Sequence, residues 1–193
     1  MASRPTRSSS THETSATSAS VGAPATSAAQ GSAPIQIPGV ILEFLNRATV
    51  AVVGTRDVHR VPHVHRVSGW RVEPDREVIA CSIPAAFTRH LMESLEDNGQ
   101  VSMTVEEVGP HETYQFKGLF VDAQPSTAAD RQAADHVRER FGRVVPPWLG
   151  VTEAASLAFG MPPHVTVRFR VQEIYVQTPG PGAGRRLVPR EEP

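Results

Sequence analysis

One cysteine, one lysine and no long apolar run describe what this chain of 193 residues does without. Cys81 alone excludes an internal disulfide and cannot by itself make a structural zinc site. Its solitude fits a reducing compartment, so a cytoplasmic protein is expected. Arginine carries almost all the positive charge, Lys117 being the sole lysine, and the formal net charge is −1. That balance lacks the basic footprint of a nucleic-acid binder, and no nucleic-acid partner is expected. Residues 1–34 contain no continuous apolar stretch, which argues against a secretory signal or a membrane span, and no membrane partner is expected. Their Ser-rich, acid-poor composition leaves an organellar transit peptide open.

What residues 1–34 do contain is Ser, Thr and Ala, as in Thr14-Ser15-Ala16-Thr17-Ser18-Ala19-Ser20. Such a segment buries too little apolar surface to offset its ordering entropy and is read as a disordered tail. From Ile35 to about Thr178 the chain is long enough for one domain with its own core. Residues 179–193 begin Pro179-Gly180-Pro181-Gly182 and read as a flexible Gly/Pro tail that ends basic, at Arg185-Arg186.

Within the domain, Val40 to Leu45 suits a short helix, and Thr49-Val50-Ala51-Val52-Val53 is a β-branched run expected to be a buried strand. Asp57 to Arg60 turns the chain into a second strand, Val61 to Val72, and Pro74-Asp75 into a third, Glu77 to Ser82. Short links predict an antiparallel meander of these three. A helix from about Thr88 stops at Asn98-Gly99, and strands follow over 101–105 and 114–121. A second long helix starts near Ser126 and is expected to end at Gly142; residues 146–163 form a helix pair or lid, and a last strand alternates over 165–176. Six strands with few helices predict a mainly β protein with flanking helices, built on a small closed or partly closed antiparallel barrel.

The chemistry-bearing pattern is Phe87-Thr88-Arg89-His90, which follows a strand and opens a helix. Unpaired N–H groups in a first helical turn and the helix dipole favour an anion, and Thr88, Arg89 and His90 add a hydroxyl, a guanidinium and a ring N–H, so a phosphate-bearing cofactor is indicated. An ordinary N-cap at Thr88 with a solvated Arg89 is the plain alternative. His63 and His65, two apart in a strand, face one side, with His59 possible as an extension of the row. That row suits a cofactor-facing strand, a metal or haem ligand set, or a solvent-facing edge. Gln115 and Lys117 share a face of a later strand, and Cys81 reads as a small buried hydrophobe.

The order of elements, the Val50–Val53 strand, the turn before Pro62, the helix after Ser82 and Gln115-x-x-Gly118 resemble the pyridoxamine 5′-phosphate oxidase-like, FMN-binding split barrels. The likeness spans roughly residues 37–177, and it implies a six-stranded antiparallel split β-barrel. It further implies a homodimer holding FMN in clefts at the subunit interface. On that resemblance Ser82, Thr88, Arg89 and His90 match the phosphate-holding positions, Gln115 matches a glutamine near the flavin ring, and His65 stands where the oxidase has an arginine. His63 and Lys117 are added as neighbours of those positions. The implied activity is an oxidoreductase passing hydride or electrons between flavin and a small molecule, with no catalytic side chain assigned because the flavin carries the redox chemistry. Gly69-Trp70 stands in place of a second-strand lysine of the oxidase, and its C-terminal tryptophan and arginine signature is missing, which points away from a pyridoxine phosphate substrate. A non-enzymatic barrel that holds haem, metal or another ligand is the alternative, and a cofactor-free barrel is a third.

Overall fold

The computed structural model describes residues 35–187. The tail read as disordered, 1–34, and residues 188–193 lie outside them. Among the described residues five helices and eight strands, where six strands were expected, occur in the order α1 (Gly39–Arg47), β1 (Val50–Arg56), β2 (Pro62–Arg66), β3 (Gly69–Val72), β4 (Val78–Pro84), α2 (Ala85–Asn98), β5 (Gln100–Glu107), β6 (Glu112–Pro125), α3 (Ala128–Val144), α4 (Pro146–Leu149), α5 (Glu153–Ala158), β7 (Pro163–Val176) and β8 (Arg186–Leu187). Among the described residues no helix is long and apolar enough to cross a membrane.

All strands join one antiparallel sheet in the order β2-β1-β5-β6-β7-β4-β3, with β8 added to β7. The expected strand over 61–72 is two strands, because the chain changes partner at Val67-Ser68. The Val67 N–H donates to the Ala51 carbonyl at 3.2 Å, on the β1 side, and the Ser68 N–H donates to the Ser82 carbonyl at 2.8 Å, on the β4 side. β2 and β3 therefore lie at opposite ends of the strand path, yet both sequential pairings of the expected meander form, β1 with β2 and β3 with β4, each antiparallel. Two residues of chain bring those ends together, so the sheet curls and closes at that corner. The result is a split-barrel architecture, mainly β with helices on its flanks.

Alternation along each strand fills the interior. Ala51 and Val53, Val101, Met103 and Val105, Phe116, and Val167, Phe169 and Val171 are all buried there, joined by Ile41, Phe44 and Leu45 of α1. Each such side chain contributes about 1.5–3 kcal/mol relative to exposure, with Ala51 less. Gly99 ends α2 in the left-handed region at φ 66°, its N–H bonded to the Leu95 carbonyl at 2.9 Å, as the Asn98-Gly99 stop signal predicts. Gly142 does not end α3, which runs on to Val144. A Cβ at that position would lie 2.6 Å from Leu157 Cδ2, so the glycine serves a close approach of α5. The described part of the C-terminal tail is a hairpin and not loose chain, since Ile174 pairs with Leu187 and Tyr175 with Arg186.

Candidate functional site

β1 dictates where the β2 histidines point. Val53 pairs with His65 and Thr55 with His63, and directly opposed residues share a face, so both imidazoles lie on the side of the buried Val53 and Thr55. α2 crosses that side and brings His90 to the row. The His63 and His65 rings are 6.5 Å apart and within 5° of parallel, and His63 and His90 are 6.2 Å apart and within 7°. Phe87, one turn earlier on α2, packs 5.4 Å from His65. His59 takes no part; it sits exposed in the β1–β2 turn, where its backbone N–H caps Asp57 Oδ1 at 2.9 Å.

Hydrogen bonding orients this row. An Arg89 guanidinium N–H reaches His90 Nε2 at 3.1 Å, which assigns the His90 proton to Nδ1, 3.2 Å from a Glu93 oxygen. His63 Nε2 lies 3.5 Å from an Asp57 oxygen. His65 Nε2 is buried and has no partner among the described residues. Burial first, then the neighbouring imidazoles of His63 and His90, hold the His65 pKa below its ordinary value. Sequence reasoning missed Asp57 and Glu93 as partners. For Glu93 a signal existed, since it follows Arg89 by four residues and His90 by three on one helix face.

The structure splits the remaining candidates. α2 begins at Ala85 with Pro84 as N-cap, so Thr88, Arg89 and His90 stand a turn inside the helix and do not open it. The Thr88 hydroxyl donates back to the Pro84 carbonyl at 3.2 Å. Proline at the cap explains the earlier start, because its fixed φ is compatible with helix entry and it supplies no side-chain cap of its own. Ser82 is fully buried, its Oγ 3.2 Å from Thr166 Oγ1, which in turn lies 3.0 Å from Ser126 Oγ. Gln115 and Lys117 do share a face, but it is the sheet's other face, opposite Thr104 and Ser102. There a Gln115 amide N–H reaches Thr104 Oγ1 at 3.3 Å, and Lys117 Nζ sits 4.6 Å from the Tyr175 ring centre. A groove of about 540 Å³ is lined by both His63 and Lys117, with Arg56, Gln100 and Glu173. Among the described residues no three His, Cys, Asp or Glu side chains converge as a metal-ligand set.

A curled, corner-closed antiparallel sheet with a row of imidazoles and one guanidinium at its α2 edge is the class of protein that the fold and site define. No family model and no curated protein matches the chain. Solved structures do resemble it. It is similar to HupZ of Group A Streptococcus at 20% identity, over 77% of this chain and 100% of that one, with a TM-score of 0.48. It is similar to HutZ, the haem storage protein from Vibrio cholerae, at 19% identity over 74% and 95%, TM-score 0.39. It is also similar to a Clostridium acetobutylicum protein of the pyridoxinephosphate oxidase family, related to general stress protein 26, at 12% identity over 78% and 94%, TM-score 0.42. Structures of the kind the sequence resemblance names thus stand among the neighbours, beside a haem protein. At these identities and scores the likeness carries no argument about ligand or activity.

Proposed function

We propose that the protein binds FMN and acts, as a homodimer in the cytoplasm, as an oxidoreductase of the pyridoxamine 5′-phosphate oxidase-like kind on a small molecule. The observation that carries this reading is the row of His63, His65 and His90 with Arg89 at its end, in which the buried Nε2 of His65 lacks a partner. The Arg89 guanidinium beside the imidazoles of His63 and His65 offers donors that fit a phosphate dianion, with His90 orienting Arg89, and an anion there would give the His65 ring its missing partner. The residues present therefore fit the phosphate end of the group.

In this reading His65 and His63 hold the phosphate from the strand and Arg89 from the helix, while Glu93 keeps His90 oriented. Thr88 orders the first turns of α2 through Pro84. Ser82 acts at a distance, by fixing the end of β4 through Thr166. Gln115 and Lys117 lie on the sheet face opposite the imidazole row and in this reading do not hold the phosphate. Bound flavin supplies the hydride or electron chemistry, and these side chains bind and orient it. Val58, Val61 and Val64 are exposed on the β1–β2 hairpin, apolar surface that a second subunit would cover.

The test is the visible spectrum of the purified protein after loading with FMN and gel filtration. Retention of about one flavin per subunit supports the proposal; a protein that refuses FMN overturns it. One observation favours a second reading: stacked imidazoles with an unpartnered Nε2 are also haem-iron ligands, and a Soret band on adding haem to a protein that rejects FMN selects that reading.

A further inference from the structure

At β3, the last strand of the sheet path, α1 and α3 come together over the sheet edge and leave a groove of about 410 Å³. That size falls within the range of small-molecule sites, roughly 300–1,000 Å³. Leu42, Leu45 and Asn46 line it from α1, three and four residues apart and so on one helix face. His136, Val137 and Arg140 line it from α3 at the same spacing, and Trp70 and Val72 from β3. Two hydrogen bonds fix the three elements against one another. Trp70 Nε1–H donates to the Leu45 carbonyl at 3.3 Å, and Arg140 Nη1–H to the Ala48 carbonyl at 2.8 Å.

The charges along this groove are of one sign. Arg71, His136 and Arg140 line it and no carboxylate does. Arg71 is already neutralised, by Glu73 at 2.8 Å and Asp130 at 2.9 Å. Arg140 is not. Its guanidinium is half-buried, and the N–H groups that do not reach Ala48 have no partner among the described residues. Burial first, then the charge of Arg143, lower its pKa from the ordinary value, and Glu107 offsets them only in part. Glu107 is itself paired with Arg47 at 2.6 Å. A half-buried cation without a counter-ion is costly, and an anion seated beside it removes the cost. One unpaired guanidinium matches a single negative charge, and the leucine, valine and tryptophan walls match an apolar body.

We infer that the groove between α1, β3 and α3 is a binding site for an organic carboxylate, its charged group on Arg140 beside His136 and its apolar body along Leu42, Val72 and Val137. The site shares no residue with the histidine row and stands whether or not FMN binds there.

Calorimetric titration of the full chain with 2-naphthoate, and with neutral 2-naphthamide as the control of equal shape, tests it. Naphthoate binds at millimolar or lower concentration and the amide at least roughly tenfold more weakly, since hydrogen bonds to a charged group are lost. Arg140→Gln brings naphthoate down to the affinity of the amide and leaves the amide unchanged, a split that a merely structural arginine would not produce. A second readout uses the unsubstituted protein and does not depend on the variant folding. The chain has two tryptophans, and naphthoate shifts the NMR signal of the Trp70 indole N–H, in the groove, while that of the exposed Trp148 stays in place. Equal binding of naphthoate and naphthamide, no naphthoate binding at millimolar concentration, or an unmoved Trp70 signal overturns the inference. So does binding that survives Arg140→Gln and is lost in Arg89→Ala, which would put the anion on the histidine row.

Discussion

His63 and His90 stack ring on ring at 6.2 Å and within 7° of parallel, one on an edge strand and the other on the helix that crosses it. The contact joins two segments that carry little information apart. Together with Arg89 it forms the imidazole and guanidinium edge on which the flavin reading rests. Arg89→Ala is expected to weaken FMN by roughly tenfold to a hundredfold, the worth of a charge-assisted hydrogen bond, and to leave riboflavin nearly unchanged. Parallel titrations of the two flavins measure this. Equal losses for both would remove the phosphate from this edge.

His65 makes stability depend on pH in a definite direction. Its pKa in the folded chain is lowered from the ordinary 6.5, so the unfolded chain binds the proton more readily. The stabilisation is present above pH 6.5 and is lost as pH falls from there through the lower folded value. His65→Gln should flatten that slope in urea denaturation series over roughly pH 5 to 8. Saturating inorganic phosphate should reverse the shift, raising the His65 titration midpoint followed by NMR. A midpoint indifferent to phosphate would argue against an anion at this ring.

Cys81 is wholly buried in β4, and burial pushes its thiol pKa up to about 12. Neither the thiolate nor a path to it exists in the folded protein. Labelling by an aromatic disulfide reagent should follow global unfolding, with a rate set by denaturant and not by reagent concentration. Rapid labelling of the native protein would mean that β4 opens locally.

Asp130 is the most heavily used carboxylate in the fold. Its side chain accepts from the Thr127 N–H at 2.8 Å, from the Thr127 hydroxyl at 2.8 Å and from Arg71 at 2.9 Å, while its own N–H donates to Thr127 Oγ1 at 3.3 Å. Burial pushes its pKa up, but the Thr127 N–H and hydroxyl and the Arg71 guanidinium outweigh it and hold it below the ordinary 3.8. Asp130→Ala strips the α3 cap and leaves Arg71 with one fewer partner, and should cost about 2–4 kcal/mol. Thermal melts report the loss. In the native protein this contribution is present above pH 3.8 and is lost as pH falls through the lower folded value.

Much of the fold is legible along the chain because it depends on neighbours in sequence. The β-branched run at Val50 to Val53, the alternation over 101–105 and 165–176, and the stop at Gly99 all express local backbone preference or a two-residue period, and each appears where the pattern puts it. The shared face of Gln115 and Lys117 follows from the same period. Where the reading failed, the deciding contact came from far away. Gly142 looks like a helix stop until Leu157 occupies the space of its missing side chain. Thr88 looks like a cap until Pro84 is seen to start the helix earlier.

The chain's own residue order determined a mainly β domain from about residue 35, the imidazole pair on one strand face, and the basic residues on the helix after β4. Those depend on side-chain period and composition, which are local. Only the tertiary structure decided that Val67 turns to β1 while Ser68 turns to β4, because choice of strand partner is a long-range hydrogen-bonding matter. That corner is what puts His63 and His65 under α2 and beside His90, sends Gln115 and Lys117 to the other face, and leaves β3 at the sheet edge, in the groove between α1 and α3.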